Sequence, residues 1–138
     1  MGKNELPGFL KKRNILYNTK NKETLKKHGD DYLAAGQLDD AMEFYTRAQS
    51  IDELRKMIES AKANADLVLY NKIFKSVKAE PLNDDLNEIG RLARELGKFA
   101  TAKHAFEQAG NDAMLREIEE KLEQESPNIK EGKMGEEE

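Results

Sequence analysis

The chain has 138 residues, 36% of them charged, and a formal net charge of −4. It contains no cysteine, which excludes disulfides, thiolate zinc sites, iron–sulfur clusters and thiol catalysis. No apolar run is long enough to span a bilayer, and the first residues lack the apolar stretch of a signal peptide. We therefore expect a cytoplasmic protein that does not insert into a membrane.

Residues 1–28 are basic, with eight lysines or arginines against two glutamates, whereas residues 29–138 carry fifteen against twenty-five. The residues that follow Pro7-Gly8 do not form a clean apolar stripe, and they predict only a short helix near residues 8–17. We interpret residues 1–21 as a basic, partly ordered arm.

Nucleic-acid binding through residues 9–27 is an alternative function that this basic arm leaves open. Its cations could contact phosphates, and Phe9 and Tyr17 could stack on bases. The rest of the chain is acidic and would repel phosphates, so we do not expect nucleic acid to be the main partner.

From Lys22 onward, apolar residues recur at spacings of three and four, which is typical of helices with one buried face. Glycines, polar breaks and a proline separate the helical stretches. The predicted helices cover residues 22–35, 38–49, 51–63, 67–79, 84–96, 99–109 and 112–124. They form one predicted domain over residues 22–124, and the polar residues 125–138, which end in three glutamates, predict a disordered acidic tail.

The middle of the chain has two possible interpretations. Asp66 could cap a separate helix over residues 67–79, or one long bent helix could run through this region. Pro81 ends the helical pattern there, and Asn83 or Asp84 could cap the next helix.

Two segments of the predicted domain follow the same pattern 61 positions apart. The recurring positions are Leu25 and Leu86, Gly29 and Gly90, Gly36 and Gly97, Ala41 and Ala102, Tyr45 and Phe106, and Ala48 and Ala109. A glycine inside a helix costs about 1 kcal/mol relative to alanine, so Gly29 and Gly90 predict helix crossings too close for a Cβ. We expect Ala41 and Ala102 to face these glycines across the crossings.

The other recurring positions predict turns and core. Gly36 and Gly97 are expected to make the turns between paired helices, because glycine reaches left-handed geometry at little cost. Tyr45 and Phe106 are expected to fill the space between successive hairpins. The predicted core comprises Leu25, Tyr32, Ala41, Tyr45, Ala48, Leu86, Ala102 and Phe106.

The spacing Gly29-x2-Tyr32, followed by Ala41-x3-Tyr45, resembles the tetratricopeptide repeat. Two copies are recognisable, at residues 22–55 and 83–116, although both lack the family's early tryptophan and late proline, and the second has alanine in place of the tyrosine. The middle, residues 56–82, resembles a shortened or degenerate hairpin. The resemblance implies an all-α fold in which antiparallel helical hairpins stack as a short right-handed array.

The same resemblance implies that the chain is an interaction scaffold. Tetratricopeptide proteins hold a peptide or a partner protein on a concave surface that the first helix of each hairpin lines. The positions that would line this surface are Lys26, Asp30 and Leu33 in the first copy and Asn87, Arg91 and Arg94 in the second. Asp30 stands where the family's clamp for a terminal carboxylate has asparagine, so we do not expect such a clamp. A structural subunit of a larger assembly is a further alternative.

Patterns typical of catalysis or metal binding do not occur in the sequence. His28 falls on the predicted buried face of its helix and His104 on a solvent-facing side, and neither has a second ligand at helical spacing. There is no phosphate-binding loop and no nucleophile elbow. We expect no enzyme activity, no metal and no cofactor, and the sequence specifies neither the partner nor the oligomeric state.

Overall fold

The computed structural model of the protein describes residues 6–125, and every regular element in that part of the chain is an α-helix. The eight helices described there are α1 (Phe9–Asn18), α2 (Lys22–Ala34), α3 (Leu38–Ala48), α4 (Ile51–Ala63), α5 (Leu67–Ser76), α6 (Asn83–Glu95), α7 (Phe99–Ala109) and α8 (Asp112–Glu125). The predicted all-α fold is confirmed. The predicted acidic tail lies outside the described residues, apart from its first residue, which ends α8.

Contacts between Cα atoms divide the described chain into two compact units. Unit 1 comprises residues 6–60 and 71–80, and unit 2 comprises residues 61–70 and 81–125. The helices α4 and α5 therefore each contribute residues to both units.

Equivalent helices recur along the chain at intervals of about thirty residues. Helices α2, α4, α6 and α8 begin at Lys22, Ile51, Asn83 and Asp112, so successive starts are 29, 32 and 29 residues apart. Each predicted copy therefore contains one pair of helices and the first turn of the next helix. The middle of the chain forms two helices of nearly the same length as those of the first copy, since α4 and α5 have 13 and 10 residues, against 13 and 11 in α2 and α3. Its interpretation as a degenerate copy stays a prediction.

The chain breaks between α4 and α5, which excludes one long helix in this region. Asp66 caps α5 as predicted, since its Oδ1 accepts a hydrogen bond from the N–H of Leu69 at 3.0 Å. Ala65 makes the turn with a φ of 52°. Helix α5 ends at Ser76 rather than at residue 79, because Lys78 adopts left-handed geometry with a φ of 58°.

Helix α6 begins one residue before the predicted position, and neither predicted capping residue caps it. Its N-cap residue is Leu82, which has extended backbone and no side-chain oxygen to offer. The N–H of Leu82 donates instead to the hydroxyl of Tyr70 at 3.1 Å. A tertiary contact therefore fixes the start of α6, where the sequence had indicated a local cap.

In unit 1, α2 and α3 form an antiparallel hairpin whose turn depends on Gly36. This glycine has a φ of 77°, which few residues other than glycine adopt without strain. Its N–H donates to the carbonyl oxygen of Leu33, and the N–H of Gln37 donates to that of Tyr32, so the end of α2 is satisfied by backbone groups. The ring of Tyr32 stacks on Phe44 of α3 with centroids 5.3 Å apart.

In unit 2, α6 and α7 form a hairpin with the same turn. Gly97 also has a φ of 77°, and the N–H of Lys98 donates to the carbonyl oxygen of Ala93 at 2.8 Å. The following helix, α8, packs against α7. The turn predictions for both glycines are therefore confirmed.

Each interior glycine lies against the aromatic ring of its own hairpin. A Cβ built on Gly29 would lie 2.6 Å from a ring carbon of Tyr45, and a Cβ on Gly90 would lie 2.6 Å from a ring carbon of Phe106. Real Cβ atoms do not approach carbon so closely, so only glycine leaves room for these rings. The predicted close crossings are confirmed.

The atoms nearest to these glycines are not those of the expected alanines. We expected Ala41 and Ala102 to face them, but in both hairpins the three atoms nearest to the built Cβ belong to the ring. Each ring therefore contacts the glycine of its own hairpin, and the expectation that Tyr45 and Phe106 also fill the space between successive hairpins stays a prediction. All predicted core residues are nonetheless buried, with exposures between 0 and 3%.

Candidate functional site

The row of α2 that was predicted to bind a partner is accessible in unit 1. Lys26 and Asp30 are half-buried and Leu33 is exposed. Leu25 and Gly29, on the neighbouring face of the same helix, are buried against α3. One face of α2 therefore fixes the helix in the hairpin while the predicted row remains within reach of solvent.

The two charged residues of this row are already engaged within unit 1. Lys26 Nζ lies 3.2 Å from Asp30 Oδ2 and 4.0 Å from Glu53 Oε1, and the hydrogen bond with Asp30 raises the pKa of Lys26. The hydroxyl of Tyr45 donates to Asp30 Oδ1 at 2.7 Å. Burial and the bond to Asp30 together raise the pKa of Tyr45. Leu33, whose side chain is apolar, is thus the member of the row that would break no internal polar contact on binding a ligand.

The corresponding row of α6 in unit 2 is arranged differently. Asn87 Oδ1 accepts a hydrogen bond from Asn111 Nδ2 at 2.9 Å, and Arg94 Nη1 lies 2.7 Å from Glu117 Oε1. Arg91 is exposed and forms no ion pair with any residue between 6 and 125. Its guanidinium therefore keeps its hydrogen-bond donors free of any carboxylate of the described residues.

The two rows also differ in the aromatic ring beneath each one. Tyr45 has a hydroxyl, and Asp30 stands where it can accept that hydroxyl's hydrogen bond. Phe106 has no hydroxyl, and Arg91 occupies the position equivalent to Asp30. The hydrogen bond that engages Asp30 in α2 therefore has no counterpart at Arg91 in α6.

The sequence did not indicate that the first helix is firmly attached. Lys12 Nζ lies 2.7 Å from both Asp40 Oδ1 and Glu43 Oε1 of α3. Burial opposes the charged form of this ammonium, but the hydrogen bonds to the two carboxylates outweigh burial and raise the pKa of Lys12. Leu16, one turn further along α1, is only 4% exposed. The Lys12–Leu16 spacing of four was the only local signal of this contact.

Arg47 of α3 completes the attachment of α1. Its Nε donates to the carbonyl oxygen of Leu16 at 3.0 Å, and its Nη2 donates to that of Tyr17 at 3.2 Å. These carbonyls belong to the last turn of α1, where backbone oxygens lack helical partners. The guanidinium also lies 5.4 Å from the centre of the Tyr17 ring.

The histidines occupy the places that the sequence indicated. His28 is half-buried with its ring 5.6 Å from that of Phe44, and His104 is exposed with its Nδ1 3.4 Å from Glu107 Oε1. Within residues 6–125, no three histidine, aspartate or glutamate side chains are grouped so that they could hold a metal ion. None of the described helices combines the length and the apolar composition needed to cross a membrane.

We compared the chain with family models, curated proteins and solved structures. No family model matches the chain, and no curated protein or solved structure matches it.

Proposed function

We propose that the protein is a non-catalytic interaction scaffold that holds another polypeptide on the first helix of each hairpin, α2 in unit 1 and α6 in unit 2. The observation that carries the proposal is Arg91, an exposed guanidinium without an internal partner on a helix that is fixed from behind. The resemblance of both hairpins to tetratricopeptide repeats supports the same role. A cytoplasmic location fits this role and belongs to the proposal.

Rigid placement of the row on α6 supports binding. Gly90 lies against the Phe106 ring one residue before Arg91, and both Gly90 and Phe106 are buried. The backbone of a helix that is fixed by packing need not be ordered when a ligand binds, so less of the interaction energy is lost to ordering. Arg91 supplies the charge, and Arg94, although paired with Glu117, lies one turn further along the same helix.

The expected ligand of this row is a peptide with a carboxylate, because an arginine pairs best with a planar, bidentate acceptor. Leu33 in α2 offers a partly exposed apolar contact instead, since 39% of it is accessible. The two rows are therefore expected to prefer different peptide residues.

A library of random 15-residue peptides displayed on phage tests the proposal against the immobilised full-length chain. We expect the selected peptides to be enriched in aspartate and glutamate, and Arg91→Glu should weaken their binding at least tenfold. Adding Arg94→Glu should weaken it further. Arg116→Glu, an exposed arginine of α8, is the matched control and should leave binding unchanged. Equal binding by the Arg91→Glu variant and the unaltered chain would contradict the proposed row.

A further inference from the structure

Helix α1 presents a row of apolar and cationic side chains that the proposed function does not use. Phe9, Arg13 and Tyr17 are four residues apart, so they lie on one face of the helix, and Leu10 lies beside Tyr17 on that face. The exposed fractions are 73% for Phe9, 76% for Leu10 and 57% for Tyr17. Single exposed apolar residues are ordinary, but three on one face of a ten-residue helix form a patch of the kind that marks an interaction site.

The helix that carries this row is fixed in unit 1. The paired contacts of Lys12 with Asp40 and Glu43 hold one turn of α1, and the bonds from Arg47 to two backbone oxygens hold its last turn. The exposed face therefore belongs to a helix that is held in place by contacts with α3. A partner that binds it need not order the helix first.

A cleft runs between α1 and α3. Two adjoining depressions, of about 260 and 320 Å³, share Leu16, Tyr17 and Glu43 in their linings. The smaller one also touches Phe9 and Arg13, whereas the larger one extends along Thr46, Arg47, Gln49 and Ser76. Each depression is large enough for an apolar side chain to enter.

The free charge at this cleft is positive. Every charged residue of α1 is a cation, and Lys12 is neutralised by its two carboxylates. Arg13 is exposed and forms no ion pair with the described residues. A ligand that carries a carboxylate next to apolar side chains is therefore complementary to the cleft in both charge and polarity.

Nucleic acid fits the cleft less well than a peptide does. A strand of nucleic acid needs a cationic groove that follows its phosphates. The exposed face of α1 carries three large apolar residues for a single free guanidinium. This ratio matches the apolar face of an amphipathic peptide.

We propose that the cleft between α1 and α3 is a second binding site, which takes an acidic amphipathic peptide. Two apolar side chains one or two turns apart enter the depressions beside Phe9 and Tyr17, and a glutamate or aspartate of the peptide pairs with Arg13. The site lies wholly in unit 1 and is independent of the row on α6.

An NMR titration of the isotope-labelled full-length chain tests this site, since it detects even weak binding. The probe is a synthetic 15-residue helical peptide with leucine and phenylalanine four residues apart and a net charge of −4. We expect saturable shifts of the amides of residues 9–17 and 43–47. Arg13→Glu should weaken binding at least tenfold, and Phe9→Ala should weaken it several-fold. Arg116→Glu, at an exposed arginine of α8 that belongs to neither proposed site, is the matched control and should leave it unchanged.

Three further probes decide between occupants. A peptide of the same apolar spacing with a net charge of +4 should not bind. If it binds equally well, or if the amides of α1 do not shift with the acidic probe, the proposal is overturned. Tighter binding of a 20-nucleotide single strand, lost in Arg13→Glu, would overturn it in favour of nucleic acid. A peptide of this chain's own residues 126–138 that shifts the same amides more strongly than the acidic probe would overturn it in favour of self-association.

Discussion

The hairpins α2–α3 and α6–α7 have the same helix lengths and the same turn, yet they use their polar residues differently. In unit 1 the ring over the glycine is Tyr45, and its hydroxyl holds Asp30, which also holds Lys26. In unit 2 the ring is Phe106, and Arg91 at the position of Asp30 has no described ion-pair partner. The two rows therefore differ most at this one position, where Asp30 bonds to the Tyr45 hydroxyl and Arg91 forms no ion pair with the described residues.

The largest expected effect comes from removing either ring. Tyr45→Ala and Phe106→Ala should each lower the free energy of unfolding by about 3–5 kcal/mol, because each leaves a cavity at a fully buried position. Urea denaturation followed by circular dichroism measures the change. Phe9→Ala, at an exposed position, is the control and should change stability by less than about 0.5 kcal/mol. Unchanged midpoints in the two ring variants would show that the rings do not hold the hairpins.

Filling the glycine sites should also destabilise both hairpins. Gly29→Ala and Gly90→Ala place a Cβ 2.6 Å from a buried ring. The overpacking costs about 1–3 kcal/mol, and the better helix propensity of alanine offsets about 1 kcal/mol of this cost. Unfolding curves should therefore shift down for both variants. Gly8→Ala, where no atom lies within 4 Å of the built Cβ, is the control. A gain in stability at Gly90 would contradict the close contact with Phe106.

Alkaline pH should weaken the fold, and Tyr70 lets this effect be measured. Burial, together with the hydrogen bond to Asp85, raises the pKa of Tyr70 to about 12, whereas the unfolded chain gives up this proton near 10. Above pH 10 the unfolded state therefore binds fewer protons than the folded state, and the stability due to Tyr70 is lost between pH 10 and 12. The loss is on the order of 2 kcal/mol. Tyr70→Phe should flatten the fall in denaturation midpoint from pH 9 to 11, and an equal slope in both proteins would contradict this.

Removing the hydroxyl should destabilise the fold at one tyrosine of the first hairpin and should not destabilise it at another. Tyr45→Phe loses the bond to Asp30 and should cost about 1 kcal/mol. The hydroxyl of Tyr32 is buried without a hydrogen-bond partner among residues 6–125, so Tyr32→Phe should be neutral or stabilising. Tyr45→Phe also recreates the arrangement of the second hairpin and should free Asp30 for solvent. Thermal melts of the two variants provide the comparison, and equal losses would refute the pairing of Tyr45 with Asp30.

The smallest expected effect concerns the residue after the second helix of each hairpin. Gln49 has a φ of 56°, and its counterpart Gly110 has a φ of 69°. A non-glycine residue in this geometry is strained by about 1 kcal/mol, so Gln49→Gly should stabilise by about 0.5–1 kcal/mol despite losing its contact with Lys22. The reciprocal Gly110→Ala should destabilise by a similar amount. Differential scanning calorimetry should therefore show shifts of opposite sign.

The sequence predicted the helices well because glycine turns and apolar spacing are local signals. Gly36 and Gly97 placed both turns, and the helix limits of α3 and α7 differ from prediction by at most one residue. Where the signal was tertiary, prediction failed. The N–H of Leu82, at the start of α6, donates to the hydroxyl of Tyr70, which is distant in sequence. Lys78, just after α5, has left-handed backbone geometry that lysine does not favour.

The candidate sites show the same limit. Periodicity placed Lys26 and Arg94 on accessible rows, but it could not show that Asp30 and Glu117 already pair with them. Which carboxylate pairs with each cation depends on where the side chains lie in the folded structure, and residue type alone does not show this. The attachment of α1 could not be predicted from the sequence for the same reason, because Lys12 pairs with carboxylates that lie 28 and 31 residues further along the chain.

The central claim is that both hairpins depend on one contact, an aromatic ring lying directly on a helical glycine. The α-proton shifts of Gly29 and Gly90 in the NMR spectrum of the full-length chain test it most directly, because protons close to an aromatic ring are displaced from their usual positions. The account predicts strong ring-current shifts at both glycines, with nuclear Overhauser effects from Gly29 to the Tyr45 ring and from Gly90 to the Phe106 ring. Ordinary helical shifts without these cross-peaks would contradict it.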